Sequence, residues 1–455
     1  MQWSEISGRF DEYMLTYDKL FISYRKDTSD KAIQYLTGLL KKDLRKNAEV
    51  IASAVPGAKV QNLQQFISDS SWYYQPVMDQ TARNVNAMLG DVENAAIIID
   101  ESAIPKKGKM SVGVARQYLG TLGKTDNGQV GVYSALCNGT DVNLINTRLY
   151  LPEEWTSDPK RCEKAYIPEG KRVFKTKEQL ALELVDDAIA LDLQFKVVEA
   201  DAGYGKGLMF MREIEARKKE FMVDVHVDQR IFLKKPTPSI PPRKGDRGRT
   251  PTEYVSNEAS FRVGEYVKSI SSKKWKLIEV RDATKGPLVY EIYCKRIYVW
   301  QPDMKGVPLC WWLTVRRNAE TKSDYKYSFS NAPSGVTWHY LSMRQGQRYW
   351  IEHAFEVAKG DCGLDHYEVR GWDGWHRHMA LVMMAQCFLL NEKIMNRDQY
   401  PLLSARDIME LLAIFLPQKE RTSEDIVLEM KQRHRRREAS IASAKKRTLK
   451  MISQL

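Results

Sequence analysis

The sequence predicts an α/β fold built on a mixed sheet, and three observations carry that prediction. Two short apolar runs, Ala95–Asp100 (AAIIID) and Phe195–Asp201 (FKVVEAD), read as buried strands that each end in an acid. Two further strand-like runs, Val130–Cys137 and Val142–Leu151, are separated by the turn Asn138-Gly139-Thr140-Asp141. Beyond residue 195 a strand, a helix to about Arg217 and the strand Phe221–Val227 alternate. Several strands followed by strand–helix–strand alternation are what an α/β core requires.

The elements follow in order. Residues 1–90 read as helical: Lys31–Val55 places Ile33, Leu36, Leu39, Leu40, Leu44, Val50 and Ile51 near helical spacing. Asn62–Ile67 and Val77–Leu89 continue the helical pattern. Lys177–Leu191 is an amphipathic helix between the two halves of the core, and Ala202-Gly203-Tyr204-Gly205 is a turn after Asp201. A Pro/Gly/basic stretch, 234–252, interrupts the core. After it, Trp275–Val280, Leu288–Trp300 and Leu309–Val315 are rich in β-branched and aromatic residues and read as a β-rich insertion. Helical character resumes near Tyr340, includes Arg348–Lys359, and dominates residues 400–455. The expected divisions are a helical region 1–92, a first part of the core 93–232, the insertion 233–335, the rest of the core 336–400 and a basic helical tail 401–455.

Charge narrows the function. The 455 residues include 70 Lys+Arg against 58 Asp+Glu, a net charge of +12, and 43% are hydrophobic. This is a globular composition with a basic excess, pointing to nucleic acid or an anionic surface and away from a typical metabolic enzyme. The excess is local. Lys234–Thr252 carries +5 and Lys431–Leu455 carries +8, which leaves −1 for the rest of the chain. The six cysteines form no C-x-x-C pair, so neither a zinc ribbon nor a disulfide framework is indicated, and a reducing cytosol fits best. The N-terminus lacks a secretory pattern, and the apolar run Met379–Leu390 is about half of the ~20 residues a bilayer requires, so it reads as a buried helix.

Three acids on separate elements are candidates for chemistry: Asp100, Asp201 and one on the helix RYWIEHAFEVAK. On that helix Arg348, Glu352, Glu356 and Lys359 fall within about 80° of one another, beside an apolar stripe of Ile351, Phe355 and Ala358. Converging carboxylates suit one or two hard cations such as Mg2+, which prefers oxygen ligands. The same residues also allow a plainer reading, with the aspartates as helix caps or turn residues and Arg348–Glu352 as a surface pair. Gly203, Gly205 and Gly207 lack a following G-K-[ST] and form no P-loop. His376 and His378 suit helix packing or a DNA-facing position, and Glu101, Asp224 and Asp228 are spare acids.

Four stretches together resemble the DDE transposases of prokaryotic insertion sequences: IIIDESAIPKKGKMSVGVARQYLG, LYLPEEWTSDPKRCEKAYIPEG, FKVVEADAGYG and QRYWIEHAFEVAKGDCGLDHYEVRGWDGWHRH. The resemblance spans roughly residues 20–395. Its Arg-x3-Glu-x6-Lys pattern is met by Arg348, Glu352 and Lys359, which selects Glu352 over Glu356. One departure is visible: many relatives place a Tyr three residues before the Arg, where this chain has Gln345.

The resemblance implies an RNase H-like core with Asp100, Asp201 and Glu352 as catalytic acids holding two Mg2+, Mn2+ substituting. It implies DNA cleavage at the ends of a mobile element and transfer of the 3′-hydroxyl ends to target DNA. Arg348 and Lys359 would contact backbone phosphates. Trp311 or Trp312 would stack on a flipped base during a hairpin step, and only one of them, because neighbours in a strand face opposite sides. Arg435, Arg436 and Arg437 in the tail would add non-specific affinity for double-stranded DNA. Lys41, Lys42, Arg45 and Lys46 are candidates for end recognition in the helical region. A homodimer on DNA, in the cytoplasm at the nucleoid, without a membrane, completes the expectation. Two alternatives remain open at this point: a transposase-derived DNA-binding protein without catalysis, and a Mg-dependent nuclease without strand transfer.

Overall fold

The computed structural model describes residues 3–23, 26–243, 250–283, 286–420 and 422–452. Helices α1 (Ile6–Leu15), α2 (Ser29–Leu39), α3 (Ala48–Ala54), α4 (Val60–Ser68) and α5 (Tyr74–Leu89) precede the sheet, with a small hairpin of β1 (Ile22–Ser23) and β2 (Lys26–Asp27) between the first two. The helical pattern over Lys31–Val55 resolves into two helices. Its middle, Lys41–Lys46, is dominated by charge, and Asp43 takes a left-handed φ of 57° that ends the helical run. Asn47 then starts α3 by accepting a hydrogen bond from the Val50 amide. Gly38 lets α2 touch α3: a Cβ there would lie 2.3 Å from Ile51 Cγ2.

The strands are β3 (Ala96–Pro105), β4 (Ala115–Leu119), β5 (Lys124–Asn138), β6 (Asp141–Leu149), β7 (Val197–Ala200), β8 (Glu220–Asp224), β9 (Arg230–Phe232), β10 (Ser260–Arg262), β11 (Lys276–Ala283), β12 (Gly286–Val299), β13 (Leu309–Asn318) and β14 (Lys326–Ser330). These twelve form one sheet. At its centre the order is β6-β5-β3-β7-β8, with β3, β7 and β8 parallel and β5 antiparallel to both neighbours. Gly139, with φ 60°, makes the tight β5–β6 turn. The insertion is not a separate sheet: β14 pairs with β8, and β13 and β12 continue outward.

Strand alternation divides the core. In β3, Ile97 and Ile99 pack with the faces of α8 (Lys177–Ala190) and α9 (Met209–Ala216), while Ala96 and Ile98 join the opposite layer. The short helices α6 (Glu153–Thr156) and α7 (Pro159–Lys164) lead into α8, and α10 (Val263–Lys268) lies within the insertion. The opposite layer is α11 (Trp338–Gln347), α12 (Tyr349–Gly360) and α13 (Trp372–Met395), followed by α14 (Ala405–Phe415) and α15 (Ser423–Ile452). The run Met379–Leu390 lies inside α13, which is buried along nearly its whole length. Among the described residues no helix is long and apolar enough to cross a membrane.

Candidate active site

The register of the parallel strands sets the site. Ile99 pairs with Ala200, and Ala200 pairs with Val223. The next row is therefore Asp100, Asp201 and Asp224, on three neighbouring strands spaced about 4.8 Å apart. Asp201 lies just past the end of β7, whereas Asp100 is inside β3, which runs on to Pro105 against β5. Asp100 is thus a mid-strand residue at the point where the parallel ladder stops. Gly203 donates its amide to Asp201 Oδ1 at 2.8 Å and fixes that carboxylate in the turn. Gly205 lets the same turn approach β8: a Cβ there would lie 1.9 Å from the Asp224 carbonyl oxygen.

Arg348 sits between α11 and α12 and closes this row. Its Nη1 is 3.4 Å from Asp100 Oδ2, its Nε 3.5 Å from Asp224 Oδ2 and its Nη2 3.0 Å from Glu352 Oε1. The Arg348 side chain is 14% exposed and that of Glu352 is 53% exposed, so the pair runs from the interior to solvent. Burial works against the Arg348 charge, but Asp224, Asp100 and Glu352 outweigh it and raise the pKa. The Asp100 carboxyl is pushed up to about 7, first by burial and then by Asp201, with Arg348 opposing. Lys359 is partly buried on the same helix; burial lowers its pKa, against the pull of Asp365 and Asp100.

The acids of this row offer carboxylate oxygens only, the ligand chemistry that suits Mg2+ and Mn2+. A carboxyl whose pKa is raised by burial and by an adjacent acid is a group that a neighbouring divalent cation would ionise. The donor set therefore fits a hard cation. Among the described residues no three acidic, His or Cys side chains are gathered closely enough to hold an ion as they stand. Asp100 and Asp201 are neighbours in the row, and Glu352 is turned onto Arg348.

Other expected residues are placed differently. Trp311 and Trp312 are 1% and 8% exposed, because β13 is covered by β12 and β14 at its edges and by packed layers on its faces. Trp311 packs edge-on against Phe221 and directs Nε1 at Glu215, while Trp312 donates to the Pro333 carbonyl at 3.1 Å. Neither offers a free face to a base, which corrects the stacking role expected for one of them. The hairpin step loses its support in this chain with it.

Lys41 and Lys46 are buried and Lys42 pairs with Glu410, whereas Arg45 is exposed, 3.6 Å from an exposed Glu368. His376 and His378 are interior side chains, in keeping with helix packing. Glu101 points to the other face of the sheet, where Lys177 meets it at 2.7 Å. Gln345 is buried as well and donates to Ser328 Oγ at 2.7 Å, so the position where many relatives carry a Tyr faces the sheet. Arg435 and Arg437 are exposed on α15; the side chain of Arg436 and residues 244–249 lie outside the described residues. Asp224 was visible in the sequence only as a spare acid, and its place in the row becomes readable once the strand register is known.

A parallel β3-β7-β8 core with antiparallel β5 and β6 on one side, and acids where the parallel ladder ends, fits the RNase H-like class of folds. Similarity to known proteins makes the class specific. The sequence profile of the DDE superfamily endonucleases matches residues 17–287, a span that contains Asp100 and Asp201 and ends before Glu352. The probable transposase for insertion sequence element IS701 of Microchaete diplosiphon is 30% identical over 366 residues, covering 78% of this chain and 82% of its own length. This chain belongs to the DDE superfamily of endonucleases, and the resemblance to DDE transposases read in its sequence is borne out.

Proposed function

We propose that this protein is a transposase that cuts DNA at the ends of a mobile element and joins the freed 3′-hydroxyl ends to target DNA. The observation that carries the reading is the row of Asp100 and Asp201 closed by Arg348 and Glu352. Asp100, Asp201 and Glu352 are the catalytic acids and would hold two Mg2+, with Mn2+ substituting. Such ions, when bound, lower the pKa of an attacking water or hydroxyl and neutralise the leaving oxygen.

The protein's own groups do the rest. Asp100 and Asp201 fix the reacting edge at the end of the ladder. Glu352, half exposed on the outer end of the pair, closes it from α12. Arg348 and Lys359 take the phosphate charge next to the scissile bond. Two copies acting together on paired ends, with the basic tail adding contacts to the DNA backbone, complete the reading.

The test is a cleavage and joining assay on a duplex carrying the element's terminal sequence, with Mg2+. Cutting followed by joining to target DNA is expected. No cutting by the wild-type protein overturns the enzymatic reading, and cutting that survives Asp201→Ala overturns the assignment of acids. Cut ends that never join leave a nuclease without strand transfer.

A further inference from the structure

Asp224 is the third acid in the row, and both of its oxygens are engaged. Oδ1 accepts a 2.5 Å hydrogen bond from Ser328 Oγ, and Oδ2 faces Arg348 Nε at 3.5 Å. Ser328 is opposite Asp224 in the β8–β14 register, so the bond is built into the strand pairing. Gln345 Nε2 donates to the same Ser328 Oγ at 2.7 Å from α11, one turn before Arg348. All three side chains of this relay are buried. The chain Gln345–Ser328–Asp224–Arg348 therefore ties the junction of α11 and α12 to the insertion strand β14 and to the end of β8. The Ser328 hydroxyl on Oδ1 fixes this carboxylate within the strand pairing and turns Oδ2 towards Arg348.

Arg348 has three edges, and they serve different partners. Nε faces the Asp224 carboxylate at 3.5 Å as an ion pair, while Nη1 and Nη2 donate hydrogen bonds to Asp100 and Glu352 at 3.4 and 3.0 Å. A guanidinium shared among three carboxylates competes with any cation that two of them would take. The competition weakens when the third carboxylate holds its share of the charge.

We propose that Asp224, oriented by Ser328 and Gln345, is a positioning residue that anchors Arg348 through Nε. The anchor leaves Nη1 and Nη2 free to pass from Asp100 and Glu352 to a DNA phosphate while those acids take their metal. This rests on the proposed assignment of Asp100 and Glu352 as metal-holding acids. It adds a fourth acid whose work is done through the arginine and not on the metal.

The test is a double-mutant cycle on the full chain. Mn2+ affinity is read by electron paramagnetic resonance, and cutting of an end-containing duplex is measured in parallel. Asp224→Asn, which keeps the shape, is expected to weaken Mn2+ binding about tenfold in the wild-type background and by less than about twofold in an Arg348→Gln background. Ser328→Ala, further from the site, should move Mn2+ affinity in the same direction by a smaller factor.

An equal loss in both backgrounds would make Asp224 a direct ligand and overturn the proposal. Unchanged Mn2+ affinity in both Asp224→Asn and Ser328→Ala overturns it too. A wild-type protein that binds Mn2+ with this pattern but cuts no DNA would instead overturn the transposase reading and leave the anchor standing. A wild-type protein that binds no Mn2+ overturns both.

Discussion

Helices α12 and α13 are consecutive in the chain, and both carry charge to the interior, but they treat it in opposite ways. On α13, Arg377 donates to the carbonyls of Ile67, Ser68 and Trp72, and Glu392 receives a two-pronged contact from Arg9. His378 bonds Tyr35 and the Gly363 carbonyl, and His376 bonds the Trp372 carbonyl. Most of these contacts end on backbone or on a neutral side chain. At the start of α12, Arg348 meets three carboxylates, and one of them, Glu352, extends into solvent. Charge that ends on backbone holds a fold together. Charge that meets only other charge at the rim of a sheet is available for exchange with a ligand.

The largest effect that could break this contrast is on the α12 side. Asp201→Ala should lower end cutting by roughly a thousandfold or more while leaving the thermal unfolding curve close to wild type. A comparable loss of stability would mean that the acids are structural after all. On the α13 side the opposite is expected. Arg377→Ala strands three carbonyls in a buried region and should cost about 3 kcal/mol in urea unfolding. Cutting per folded molecule should stay near wild type.

A third measurement sharpens the comparison through pH. Burial lowers the pKa of His376 and of His378 to about 3, so both stay neutral in the folded protein. The unfolded chain takes up their protons near its ordinary value of about 6.5, so it binds more protons than the folded state between the two values. Stability from these residues is present above that ordinary value and is lost as pH falls toward 3. His378→Gln should flatten the fall of melting temperature with acid; an unchanged slope would place its protons elsewhere. The smallest effect concerns the outermost charge. Removing residues 423–455 should weaken DNA binding and make its salt dependence shallower by about 0.9 for each phosphate that the tail neutralises. An unchanged slope would mean that α15 does not touch DNA.

The sequence made the order of elements readable because apolar periodicity is local. The strand runs at 95, 130, 142, 195 and 288 and the helices at 177, 348 and 379 all correspond to elements of the structure. Strands β4 and β14 were missed, since Ala115–Leu119 and Lys326–Ser330 are short and polar enough to resemble turns. The Arg-x3-Glu-x6-Lys spacing drew Arg348 and Glu352 together because both lie on one stretch of chain, and the structure joins them at 3.0 Å. Two things were hidden in long-range register. Asp224 gains its meaning from pairing with β7 and with Ser328, neither visible in its neighbourhood of the sequence. Trp311 and Trp312 resemble an exposed aromatic platform until β12 and β14 are known to flank them.

Gly205 works as a spacer of zero thickness. Its missing side chain lets the loop that carries Asp201 lie directly on the carbonyl of Asp224. The second acid and the anchor of the arginine are therefore machined to a common clearance. A methyl group at that point would not simply disturb a loop. It would push Asp201 and Asp224 apart together, altering the gauge of the row while the strands behind it kept their places.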